Sequence, residues 1–69
     1  MERKEFFKRI ARIVTGYVDV THADDDWFNI RCRGCVFPDE LDELRKYCYV
    51  SNISFDNGNL LMLISCKFI

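Results

Sequence analysis

Four cysteines, one histidine and a run of three aspartates are the first candidates for chemistry in this 69-residue chain. Cys32 and Cys35 form a C-x-x-C, with Cys48 and Cys66 further on. A zinc site usually pairs two such knuckles, and here the second pair is missing. A thioredoxin-like site needs a helix that starts at the motif, whereas Val36-Phe37-Pro38 intervenes. Strand alternation puts Cys32 and Cys66 on an apolar face, and helical spacing does the same for Cys48. Buried thiols of that kind behave as small hydrophobes. A metal-binding or redox domain built on these cysteines is an alternative reading; the expectation is structural thiols, no metal ligands and no cofactor.

His22 has no nucleophile or second acid near it in the sequence, so it lacks the partners of a catalytic base. Asp24, Asp25 and Asp26 lack the alternating oxygen ligands of a calcium loop and read as solvated turn acids. With no catalytic constellation legible, the chain is expected not to be an enzyme. The basic residues are unevenly placed. Arg3, Lys4, Lys8, Arg9 and Arg12 crowd the first fourteen positions, while residues 39–43 hold four acids and no base. Such asymmetry favours self-association or phosphate contact. Lys4, Lys8 and Arg12, with Arg31 and Arg33, form the candidate phosphate-binding set.

These side chains must be positioned by six elements. Phe6, Phe7, Ile10, Ile13 and Val14 share one arc at helical spacing, which predicts a helix over residues 3–15 stopped by Gly16. Residues 17–22 and 27–33 alternate and predict a hairpin closed by the aspartate turn. Pro38 opens a second helix, with acids at its N-terminal end and Arg45 and Lys46 at its C-terminal end. Its buried stripe is Leu41, Leu44 and Cys48. Residues 50–55 and 60–68 predict two more strands, joined by the Asn57-Gly58 turn.

The order αββαββ predicts an α+β two-layer sandwich, with two helices on one face of a four-stranded, mainly antiparallel sheet. One domain spans residues 1–69. Its halves, 1–34 and 35–69, superimpose at an offset of 34 if one residue is slipped around the first strand of each, so an αββ pseudo-repeat is one reading. The stretch IARIVTGYVDV (residues 10–20) loosely resembles the helix, glycine and strand entry of LAGLIDADG homing endonucleases. The resemblance stops at Tyr17, which stands where that motif carries a metal-binding acid, and no nuclease function is expected.

Covering one face leaves the other. The core set is Val18, Val20, Phe28, Ile30, Cys32, Ile53, Phe55, Leu60, Met62, Ile64, Cys66 and Phe68. The reverse face then carries Tyr17, Trp27, Arg31, Arg33, Leu61 and Leu63 among polar residues. Trp, Tyr and Arg are enriched at binding hot spots. These six residues are the expected partner-binding site of a small protein-interaction module, acting as a homodimer or capping another protein. The alternative is single-stranded nucleic acid stacked on the open sheet. A net charge of −1 weighs against it.

Composition fits a folded interaction module. Apolar residues make up 49% of the chain, a generous share for so small a body. A core of this size rarely supplies more than about 3–5 kcal/mol alone. The opening MERKEFFKRIARIV is charged and helical in spacing rather than a leader-like apolar block. No run is long enough to span a bilayer. The expected setting is the cytoplasm (the host's, for a phage gene), with reduced cysteines.

Overall fold

The computed structural model describes residues 2–69. Helix α1 spans Arg3–Ile13 and turns Phe6 and Ile10 inward, with Phe7 and Ile13 beside them. It ends two residues earlier than the apolar spacing implies, because Val14 is already extended and leads into the turn at Gly16. A Cβ on Gly16 would lie 2.1 Å from the Arg33 carbonyl oxygen, so only glycine fits this close approach. The two backbones are joined there by Arg33 N–H donating to Gly16 O at 2.8 Å.

Strands β1 (Tyr17–His22), β2 (Trp27–Cys32), β3 (Cys48–Asp56) and β4 (Leu61–Phe68) form one antiparallel sheet in the order β1-β2-β4-β3. Helix α2 spans Pro38–Arg45. Leu44 from α2 and Phe6, Ile10 and Val14 from the α1 segment share one core with Phe28, Ile30, Cys32, Cys48, Ile64 and Cys66. Both helices therefore cover the same side of the sheet. The αββαββ two-layer architecture read from the sequence is the observed one.

The ladders repeat across the two halves. A shift of 34 residues carries Phe28, Ile30 and Cys32 onto Met62, Ile64 and Cys66, and Phe28 faces Cys66 while Cys32 faces Met62. Ile30 opposite Ile64 is the centre of that arrangement. The outer ladders correspond at a shift of 33: Val20 faces Ile30 as Ile53 faces Ile64. Each outer strand is irregular at the same place, at Val18 in β1 and Ser51 in β3. The one-residue slip lies in the connections flanking these strands.

Four expectations for the core change. Val18 is the extra residue of a bulge and is exposed. Leu60 belongs to the turn, at φ 57°, and is exposed. Ile53 and Phe55 point to the helix side yet remain 38% and 55% exposed. Helix α2 has eight residues against eleven in α1, about 12 Å against about 16 Å of axis. Its C-terminal end lies over the start of β3, where the Cys48 thiol meets the Leu44 carbonyl at 3.5 Å. The far half of β3 is left uncovered.

Candidate interaction surface on the open sheet face

Alternation and register build the reverse face in cross-strand rows. Asp19, Arg31, Leu63 and Ser54 form one row, and Thr21, Asn29, Ser65 and Asn52 the next. Trp27, Lys67 and Tyr49 form a third at one end, and Leu61 beside Asp56 a fourth at the other. Neither helix covers these rows.

The aromatic row is held together by its own contacts. Lys67 Nζ lies 5.7 Å from the centre of the half-buried Trp27 ring, a cation–π arrangement. Tyr49 meets the indole edge-on at 6.5 Å between centroids and is 58% exposed. In the middle row, Ser65 Oγ donates to Asn29 Oδ1 at 2.9 Å. Arg31 is bidentate to Asp19, with Nε and Nη2 donating to the two carboxylate oxygens. That hydrogen bonding holds the Asp19 carboxyl below its ordinary range and raises Arg31. Asp56 is lowered by its turn, first through the Asn59 side chain, which donates to Oδ2 at 2.8 Å.

Trp27, Arg31 and Leu63 stand on this face, as read from the sequence. Arg33 is exposed just beyond the end of β2. Leu61 is on the face by alternation but only 8% exposed, so little of it is open to contact. Tyr17 requires a correction. The bulge at Val18 moves it opposite Cys32, and it packs against the core under the helices. A strict period of 2 cannot foresee that shift. Tyr49 is the residue missed. Cys48 opens β3 and does not belong to the buried stripe of α2, so the alternation Cys48, Tyr49, Val50 is the signal that places Tyr49 on this face.

The five candidate phosphate ligands fall into two groups on opposite layers. Lys4, Lys8 and Arg12 lie exposed on α1, and Arg31 and Arg33 belong to the β2 strand and its end. Arg9, also on α1, donates weakly to Tyr47 Oη at 3.5 Å in the groove between the helices, which Arg12, Ile13 and Glu43 complete.

Cys32, Cys48 and Cys66 are buried, and Cys35 is exposed. Burial, with the charge of Glu40 added, pushes the Cys32 thiol up. Cys66 is pushed up by its hydrogen bond with Cys48 and then by burial. Among the described residues, no three side chains of His, Cys, Asp or Glu come together in a metal-holding group. His22 sits opposite Phe28 on the helix side, edge-on to Phe7 at 5.4 Å.

No protein-family model, curated protein or solved structure matches this chain. Among the described residues, no helix is long and apolar enough to cross a membrane.

One further polar site joins the two halves on the helix side. Glu40, only 8% exposed, accepts from Thr15 N–H at 2.9 Å and Thr15 Oγ at 2.6 Å through Oε2, and from Phe37 N–H at 3.1 Å through Oε1. The Thr15 hydroxyl is the main cause of its lowered pKa. Glu40 suits the dipole at the N-terminal end of α2 and also ties the turn after α1 to the start of α2.

Proposed function

We propose that this chain is a small, non-catalytic protein-interaction module whose working surface is the sheet face opposite the helices. The partner is a second copy of the chain or another protein capped by this face. The observation that supports the reading is the composition and packing of the uncovered rows. An indole, a phenol and an ammonium group cluster at one end, and Leu63 lies beside the Arg31–Asp19 pair nearer the other. Aromatic anchors beside polar groups with settled hydrogen bonds are the ingredients of a binding hot spot. Four of the eight side chains in the middle rows (Asp19 with Arg31, Asn29 with Ser65) already have partners on the sheet, so less ordering of those groups is left to accompany binding. The cytoplasm, where the four thiols stay reduced, is the setting that fits this reading.

The test is a pair of substitutions, Trp27→Ala and Leu63→Ala, followed by light scattering for mass and circular dichroism for fold. A lower mass with the fold retained supports a homodimer through this face. An unchanged monomer removes the homodimer form and leaves partner capping.

A second reading, single-stranded nucleic acid, is favoured by the Trp27–Lys67–Tyr49 row, which offers two ring surfaces and a cation. The α1 cations lie on the other layer and cannot grip the same stacked strand. Labelled single-stranded RNA titrated at two salt concentrations decides this reading, since phosphate contacts make binding salt-sensitive.

A further inference from the structure

The outer edge of β3 differs from an ordinary exposed edge. Proteins blunt such edges with lysine, proline, bulges or short strands. From Cys48 to Phe55 there is no charged residue and no proline, over a nine-residue strand that ends at Asp56. Its one protective device is the bulge at Ser51. Beyond it, residues 52–56 pair regularly with β4 on one side only. Ile53 and Phe55 project from this stretch on the helix side, 38% and 55% exposed. The opposite edge shares the bulge, at Val18, but contrasts in length and charge: β1 has six residues, with Asp19 among them.

We propose that β3 pairs antiparallel, across this edge, with β3 of a second copy of the chain, giving a two-fold dimer with a continuous eight-stranded sheet. The segment is complementary to itself. With the two-fold axis at Ser54, Ile53 lies opposite Phe55 of the partner subunit, and Phe55 opposite the partner's Ile53. An aromatic and a β-branched side chain facing across strands is a favourable pair. On the other side of the sheet, Asn52 lies opposite the partner's Asp56, so no like charges meet. On α2, Asp42 and Arg45 pair with each other at 3.5 Å. An edge whose one charge is Asp56 at its end gives little with which to select a basic or an acidic peptide, whereas a second copy brings a matching row of alternating apolar and polar side chains. The pairing is isologous, so it closes at two chains and leaves β1 as the sheet's outer limit.

This surface is distinct from the sheet face, and the experiment separates them. The mass of the unmodified protein is followed by light scattering across a concentration series, alongside an Ile53→Lys/Phe55→Lys variant and the milder Phe55→Thr. The expected result is a mass approaching twice 8.2 kDa at high concentration, falling to the single-chain value in the lysine variant with its circular dichroism retained. Phe55→Thr keeps strand propensity and is expected to shift the midpoint to higher concentration. Register is read with Ser54→Cys in a Cys35→Ser background. Residues facing each other on antiparallel strands have Cα atoms about 4.5–5.5 Å apart, within disulfide reach. Ser54→Cys should therefore form an intermolecular disulfide under mild oxidation, and Thr21→Cys should not. A protein that stays monomeric throughout overturns the proposal. So does a dimer that survives the lysine substitutions while Trp27→Ala or Leu63→Ala dissolves it, which would assign self-association to the sheet face.

Discussion

The two αββ halves share a frame and use it differently. In the first, α1 lays Phe6 and Phe7 over the sheet, and their rings meet Phe28 and Phe68 at 5.2–5.6 Å. Arg3 closes this cluster from above, 4.2 Å from the centre of the Phe68 ring. At the offset of 34, the residue in the place of Phe6 is Glu40, and a carboxylate clamp replaces an aromatic stack. Helix α2 is also shorter, so the outer strand of its half keeps Ile53 and Phe55 exposed. Both halves carry an edge strand, but the second leaves more apolar surface uncovered beside its own.

The largest expected effect breaks the aromatic side. Phe6→Ala should cost about 3–5 kcal/mol, as for other buried phenylalanines. That is comparable with the whole stability of a domain this size, so the variant should be largely unfolded by circular dichroism at room temperature. Glu40→Ala, at the matching position, should cost less, about 1.5–3 kcal/mol for a lost charged hydrogen-bond set. Equal or reversed costs in urea denaturation would dissolve the contrast between the halves.

The contrast is sharpened by pH. The Glu40 carboxyl titrates lower in the fold than in the unfolded chain. Its stabilisation is therefore complete above the unfolded value of about 4.3, and is lost as pH falls through the lower folded value. Glu40→Gln should be least stable relative to the parent near pH 7. The gap should close as the medium is taken well below pH 4.

Glycine substitutions probe one turn within each half. Gly16→Ala sets a methyl against the Arg33 carbonyl and should cost about 1–3 kcal/mol, the usual range for overpacking. Gly58→Ala meets only the Asp56 side chain at 3.4 Å and should change stability by less than about 0.5 kcal/mol. The smallest effect on stability is at the thiols. In native protein an aromatic disulfide reagent should modify Cys35 quickly, and Cys32, Cys48 and Cys66 only on unfolding. Cys35→Ser should remove the fast phase without moving the melting temperature.

Most of the fold was legible because its signals are local. The α1 arc, the alternation of β2 and the Asn57-Gly58 turn each need only neighbouring residues to be read. What escaped was set by contacts distant in sequence or by single-residue irregularities. The bulge at Val18 turns Tyr17 to the core, and nothing in YVDVTH marks it. Glu40 is buried because Thr15, from the turn after α1, offers it two donors. Of the surface, Trp27, Arg31 and Leu63 followed from period 2, since β2 and β4 are the regular inner strands. The engagement of Arg31 by Asp19 depends on strand register, which periodicity does not supply.

The contact of Arg3 with Phe68 brings the first helix and the last strand side by side. A short polar linker from residue 69 back to residue 2 would have little distance to bridge. If the chain were then opened between Gly34 and Cys35, the rewired molecule would again run helix, strand, strand, helix, strand, strand. Such a circular permutant should regain the parent's circular dichroism. Its Phe6 and Glu40 would have exchanged places in the order of synthesis, so the two kinds of packing could be made in either sequence.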